Sequence, residues 1–213
     1  MRNHLGSKPA PPPLDLIQAF ANTFDVESGR EDLASAAALQ SWLAERGLLE
    51  GHATASEADL RQALQLREAL RSLLLTNNGA GADAEAIEVL NRCARSAQMS
   101  VVFGSDGSGH LQPRAPGVDG ALGRLLTIIA EAMANGTWKR LKGCRAQRCR
   151  FAFFDRSKNR GGSWCAMNVC GNRTKARTYR RRQVGAATAD AARGARRASR
   201  NDSAALRRPK RLS

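Results

Sequence analysis

The stretch CAMNVCGNRTKARTYRRR, residues 165–182, joins two cysteines to a strongly cationic run. Cys165 and Cys170 are five positions apart, and an earlier pair, Cys144 and Cys149, has the same separation. The chain therefore contains a C-x4-C, x15, C-x4-C pattern. Two close pairs joined by a spacer of this length are typical of a tetrahedral zinc site, because each pair supplies two thiolates from one turn.

Two other interpretations of the four cysteines are open, namely two disulfides or four unrelated thiols. The sequence shows no secretory signal and no apolar run of membrane-spanning length, so we expect a cytoplasmic, nucleoid-associated protein with reduced thiols and no membrane partner. A four-cysteine site leaves no open coordination position, so we expect one structural Zn2+ and no catalytic residues. The fifth cysteine, Cys93, lies in a predicted helix and is expected to be an ordinary buried thiol.

The residues between and after the two pairs predict a small finger. RFAFFD, residues 150–155, indicates a strand, SKNRGGS, residues 157–163, indicates a flexible turn, and a helix can begin at Asn172. A turn, a hairpin and a ligand at a helix start occur in this order in treble-clef fingers. In such a finger the metal substitutes for a core that about 40 residues cannot build alone.

The upstream residues predict a helical domain. Apolar periodicity, together with stop signals such as Gly47 and Gly79, indicates five helices. They begin near Leu14, Ser35, Ser56, Asp83 and Val118. MSVVFGSDGSGHLQPRA, residues 99–115, predicts a β-hairpin. The predicted fold class is mostly α with a small β-hairpin, α+β.

Acidic and basic residues are distributed unevenly along the chain. Residues 139–213 carry 23 Lys and Arg against 3 Asp, whereas residues 1–138 carry 11 against 16 acidic residues. This asymmetry indicates a polyanionic partner for the second part, most often nucleic acid. We predict four regions: a flexible leader at 1–13, a helical domain at 14–138, a zinc finger with a basic helix at 139–184, and a disordered basic tail at 185–213.

The predicted basic helix suggests a nucleic-acid contact. A helix from Asn172 would place Arg173, Arg177 and Arg180 on one face, where they could meet phosphates or guanine edges. Asn172 can be interpreted as an N-cap or a base contact, Arg173 as scaffold or contact, and the entire run as a solvated face. The candidate nucleic-acid residues are Arg173, Lys175, Arg177, Arg180, Arg181 and Arg182.

Two arginines fall inside the apolar stripe of the helix that follows Ser56. Arg67 and Arg71 need partners there, because a buried charge is costly when it is unpaired. A carboxylate such as Asp25 or Glu68 could pair with them. Alternatively, the acid or phosphate group of a small-molecule ligand could bind in a pocket formed by Asn22, Asp25, Arg67 and Arg71, or the two arginines could lie at an exposed edge of the stripe.

The string WCAMNVCGNR and the following TKARTYRRR resemble the CGNR zinc-finger family, named after the residues that here are Cys170, Gly171, Asn172 and Arg173. LDLIQAFANTFD, ALQSWLAERGLL and ALQLREALRSLL resemble the ABATE domain that usually precedes such fingers in bacterial proteins. The resemblance covers residues 14–182. It implies a bacterial transcription regulator with a C-terminal DNA-binding zinc finger.

These observations lead to three classes of function. The first is a zinc-dependent DNA-binding regulator whose N-terminal domain senses a ligand or forms a homodimer. The second is an RNA-binding or ribosome-associated module. The third, an enzyme, is not expected, because residues 139–213 contain no histidine and the glycine-rich segments are hairpin turns rather than phosphate-binding loops.

Overall fold

A computed structural model of the protein describes residues 9–50 and 52–183. The predicted tail at 185–213 and most of the predicted leader lie outside these residues. Helices dominate the described part, and each of its sheets has two strands. The predicted α+β fold class is confirmed. No helix among the described residues is long and apolar enough to cross a membrane.

The five predicted helices are confirmed, and each begins within one residue of the predicted position. They are α1 (Leu14–Ala21), α2 (Ala36–Ala44), α3 (Glu57–Thr76), α4 (Ala84–Ser96) and α5 (Gly117–Ala134). Side-chain caps explain three of these starts. Ser35 and Asp83 accept a hydrogen bond from the backbone N–H three residues later, and Ser56 forms a reciprocal capping box with Asp59.

Three antiparallel hairpins accompany the helices in the described part of the chain. The predicted one is β3 (Met99–Phe103) with β4 (Gly109–Pro113), in which Val101 lies opposite Leu111. The second hairpin, β1 (Phe24–Asp25) with β2 (Arg30–Glu31), was not predicted, because strands of two residues show no periodicity. The third hairpin pairs β5 (Leu141–Gly143) with β6 (Ala152–Phe154).

One hydrophobic core connects the helices with the third hairpin. Ile17 and Phe20 of α1, Leu70 of α3 and Leu125 of α5 are all completely buried. Leu141 of β5 and Ala152 of β6 belong to the same buried cluster. Complete burial of one such aliphatic or aromatic side chain contributes about 1.5–3 kcal/mol, so the hairpin is held by the core of the helical part.

By compactness, the chain divides into the units Met1–Cys170 and Gly171–Ser213. The first unit contains α1 to α5, the three hairpins and all five cysteines. The second contains, in its described part, a helix over residues 172–183, which we label α6.

Candidate metal centre

The hairpin of β5 and β6 positions the first cysteine pair. Cys144 directly follows β5, and its N–H donates to the Phe151 carbonyl at 2.9 Å, which closes the hairpin. Between the two residues, the Cys149 N–H donates to the Ala146 carbonyl at 2.8 Å and folds the chain into a tight turn. Arg150 leaves this turn with a positive φ of 54°. The strand predicted within residues 150–155 is confirmed as β6, and its partner β5 precedes the first cysteine pair.

A helical turn positions the second pair. The Arg145 N–H donates to the Ser163 carbonyl at 3.1 Å, so the segment before Cys165 lies against the first turn. The chain then enters a π-helical turn, Met167–Gly171, and the Cys170 N–H donates to the Ala166 carbonyl at 2.9 Å. The fourth cysteine is therefore held by helical backbone.

The four sulfur atoms converge on one point. The Cys149 and Cys165 Sγ atoms are 3.5 Å apart, those of Cys165 and Cys170 are 3.7 Å apart, and all four ligand atoms lie within 4.8 Å of one another. A tetrahedral zinc ion with Zn–S bonds of about 2.3 Å separates its sulfurs by about 3.8 Å. Disulfide-bonded sulfurs lie about 2.0 Å apart, so these cysteines are not paired as disulfides.

The electrostatics of the four cysteines alone disfavour four thiolates. Hydrogen bonds from the Cys149 and Cys165 thiols lower the pKa of Cys144 to about 2. Hydrogen bonding to Cys144 raises the pKa of Cys149 and of Cys165, and burial raises both further. The cluster alone therefore favours one thiolate and disfavours the others. A divalent ion supplies the positive charge that four buried thiolates need.

This ligand set fits one structural zinc ion. All four cysteines are buried, and no other metal-ligating group of three or more side chains occurs among residues 9–50 and 52–183. When bound, zinc cross-links the turn after β5 to the helical turn that contains Cys170. Cys93 is buried in α4, outside the cluster, so its prediction as an ordinary buried thiol is confirmed.

The candidate nucleic-acid residues all lie on α6. Their side chains are exposed, and residues 172–183 continue without a break from the π-helical turn. The predicted helix start at Asn172 agrees with α6, and the π-helical turn Met167–Gly171 directly precedes it. Helical spacing places Arg173, Arg177 and Arg180 on one face of α6.

Arg67, a predicted pocket residue, is paired within the protein. Its side chain is only 5% exposed, and its Nη1 donates to the Glu31 carboxylate at 2.6 Å and to the Thr23 hydroxyl at 3.2 Å. Its Nε donates to Glu68 at 3.0 Å. Of these partners, only Glu68 was anticipated.

Arg71, also buried, lies on the same side of α3. Its Nη1 donates to the Phe24 carbonyl at 2.9 Å, and its Nε lies 3.7 Å from the Glu68 carboxylate without a hydrogen-bond partner among the described residues. Both guanidiniums lie over the Phe24 ring, at 5.4 Å for Arg67 and 5.6 Å for Arg71. Arg67, Arg71 and Glu68 of α3 thus form a cluster of balanced charge with Glu31 of β2.

Asn22 and Asp25, the other predicted pocket residues, form hydrogen bonds with different segments of the chain. Asn22 Nδ2 donates to the Ala152 carbonyl at 3.0 Å, and the Ala152 N–H donates back to Asn22 Oδ1 at 2.7 Å. The Asp25 carboxylate accepts from the Glu27 N–H and the Ser28 hydroxyl within the β1–β2 turn. Asn22 thus contacts β6, Asp25 contacts its own turn, and Arg67 and Arg71 share Glu68 and the Phe24 ring.

Two amide side chains that contact the third hairpin, the half-buried Asn77 and the buried Asn78, were not predicted from the sequence. Asn77 Nδ2 donates to the Leu141 carbonyl at 2.9 Å, and Asn78 Nδ2 donates to the Gly143 carbonyl at 2.7 Å and to the Ser163 carbonyl at 3.1 Å. The sequence indicated only that Asn77 and Asn78 lie beside Gly79, the stop signal for α3. Their contacts lie 64 to 85 residues away, so no local pattern could reveal them.

Comparison with family models assigns two regions of the chain. Residues 14–136 match ABATE, described as "Putative stress-induced transcription regulator". Residues 140–183 match the CGNR zinc finger. Comparison with curated proteins found no match.

Proposed function

The chain belongs to the ABATE family and carries a CGNR zinc finger, and from this premise we propose that it is a zinc-dependent DNA-binding regulator. The observation that carries the proposal is the continuity between the last zinc ligand and the basic helix. Cys170 lies in the π-helical turn, and α6 with its six candidate cations follows directly. Zinc bound at Cys170 would hold the turn from which α6 starts.

The charge of the finger supports a polyanionic partner. Among residues 139–183 the only acidic side chain is Asp155, which is buried and paired with Lys142. The exposed cations of this region therefore have no acidic neighbours in the finger itself. Such a surface attracts phosphates and releases their counterions on binding.

We assign DNA contact to α6, with Arg173, Arg177 and Arg180 facing the duplex. Arg181 adds attraction from the flank, and Lys175 and Arg182 add longer-range attraction from the opposite side of the helix. An α-helix fits the major groove of B-DNA, where guanine offers acceptors to Arg. The zinc ion has no coordination position for a substrate, so in this proposal the protein is not an enzyme.

The helical domain is proposed to form a homodimer. One short finger seldom supplies enough specific contacts, and a dimer would double them. The outer edge of β3 supports this role, since β3 pairs only with β4 in the described sheet and its Val101 and Phe103 side chains are 57% and 75% exposed. Ligand sensing through Arg67 and Arg71 is the less supported role, because both arginines already have protein partners.

A competition experiment tests the proposal. Zinc-loaded protein at fixed salt is offered labelled duplex DNA of random sequence with unlabelled structured RNA as competitor. We expect DNA binding that persists against RNA at equal nucleotide concentration and that disappears on zinc chelation and returns on zinc addition. Preference for RNA would favour an RNA-binding module instead, and DNA binding unaffected by chelation would contradict the role of zinc.

A further inference from the structure

The loop from Arg156 to Gly162, between β6 and the second cysteine pair, is built around a buried ion pair. Lys142 Nζ donates to Asp155 Oδ2 at 2.8 Å, and each of the two residues is only 4% exposed. Burial alone raises the pKa of Asp155, but hydrogen bonds from Lys142, Ser157 and Gly162 hold it well below its usual range. The carboxylate is therefore ionised at neutral pH.

This ion pair fixes the path of the loop at both ends. Asp155 accepts the Ser157 N–H at 3.0 Å and the Gly162 N–H at 2.8 Å. Lys142 donates to the Arg160 carbonyl as well, and to the Gly162 carbonyl at 3.3 Å. The turn predicted at 157–163 is present, and a buried carboxylate and a buried ammonium hold its backbone.

The side chains of two cationic residues of this loop lie outside that network of hydrogen bonds. Lys158 and Arg160 are exposed, and neither has an acidic side chain within 4.0 Å in the part of the chain that the structure describes. Arg156 differs, since its guanidinium donates to the Pro9 carbonyl at 2.8 Å and lies over the Phe154 ring. Lys158 and Arg160 are thus the loop cations that remain available to a partner.

The backbone at Arg160 lies in the left-handed region. Arg160 has a positive φ of 49°, a conformation in which glycine or asparagine is favoured over a long side chain. A long cationic side chain is therefore present at a position where the turn itself favours a smaller residue.

We propose that the loop at 156–162 is a second nucleic-acid contact, in which Lys158 and Arg160 bind phosphates of the duplex backbone. This inference rests on the proposed DNA-binding function and adds a surface outside α6. Contacts to phosphates carry no base information, so the loop contributes affinity and positioning rather than sequence preference. A loop that is already ordered loses little conformational freedom on binding, which favours the contact.

The test compares two charge-matched double variants in duplex binding over a range of salt concentrations. Lys158→Gln with Arg160→Gln removes the proposed contacts. Arg61→Gln with Arg92→Gln removes the same charge from exposed positions on α3 and α4. The slope of log K against log salt is negative, and each lost phosphate contact makes it shallower by about 0.9. The slope of the loop variant should therefore be shallower than that of the wild type by about 1.8.

The loop variant should also bind about tenfold or more weakly at low salt, equally for duplexes of different sequence, while the control variant keeps the wild-type slope. An unchanged slope in the loop variant, or an equal loss in the control, overturns the loop proposal. Either result leaves the proposed function intact if Arg177→Gln with Arg180→Gln still weakens binding. Absence of DNA binding by the wild-type protein overturns both proposals.

Discussion

Asn78 and Gly143 connect the end of α3 to the strand that leads into the metal site. Asn78 Nδ2 donates to the Gly143 carbonyl at 2.7 Å, and Gly143 is followed directly by Cys144. The same amide reaches the Ser163 carbonyl, two residues before Cys165. One side chain of the helical part therefore holds the backbone next to both cysteine pairs.

Asn78→Ala should lower both the stability of the fold and the affinity for zinc. The substitution leaves the Gly143 and Ser163 carbonyls without this donor, and a buried polar group without a partner costs about 1–3 kcal/mol. Urea denaturation would measure the free energy of unfolding, and competition with a chromophoric chelator would measure zinc affinity. Asn91→Ala, at an exposed position of α4, is the control and should change neither quantity.

Gly143→Ala should destabilise the protein through a steric clash. A Cβ at this position would lie 3.0 Å from the Leu75 side chain and 3.2 Å from the Leu75 backbone nitrogen. Overpacking of a buried site costs about 1–3 kcal/mol. Gly161→Ala is the matched control, because a Cβ there meets no atom within 4 Å. Equal thermal midpoints for the two variants would contradict the close packing of β5 on α3.

Asp155→Asn should destabilise the protein far more than an exposed substitution does. It leaves the buried Lys142 ammonium without its counter-charge, and loss of one partner of a buried ion pair costs about 3–5 kcal/mol. Adding Lys142→Met should restore part of the loss, since the unpaired charge is then absent. Chemical denaturation of the two single variants and the double variant measures this coupling. Additive effects would show that the two residues do not act as a pair.

Zinc removal should destabilise the helical part as well as the finger. Trp42 of α2 is buried beside Phe20, with ring centroids 5.3 Å apart, and can report on the helical core when Trp138 and Trp164 are replaced by Phe. Because β5 and β6 share that core, the urea midpoint of Trp42 fluorescence should fall when zinc is chelated. An unchanged midpoint would mean that the finger and the helical part unfold independently.

Local signals in the sequence were sufficient for the helices and for the zinc ligands. Ser35, Ser56 and Asp83 mark helix starts through contacts three residues away, and the spacing of the cysteines indicates a common metal site. Both kinds of signal depend on residues that are close in the chain. They are therefore visible without knowledge of the tertiary structure.

The features that escaped prediction depend on distant partners. Glu31 pairs with Arg67 across 36 positions, and β5 was not recognised because its partner strand lies beyond the first cysteine turn. The helix start at Asn172 was predicted, but the π-helical turn before it was not, because nothing in the composition distinguishes such a turn from a loop.

The central claim is that zinc held by Cys170 supports a helix that binds DNA, and one measurement tests it most directly. Duplex affinity is compared between Cys170→Ser, which removes a zinc ligand, and Cys93→Ser, which alters a buried cysteine outside the cluster. Zinc content is determined for both variants in the same samples. We predict that Cys170→Ser loses zinc and at least tenfold in duplex affinity, while Cys93→Ser keeps both. A Cys170→Ser variant that lacks zinc yet binds duplex DNA as tightly as the wild type would contradict the account.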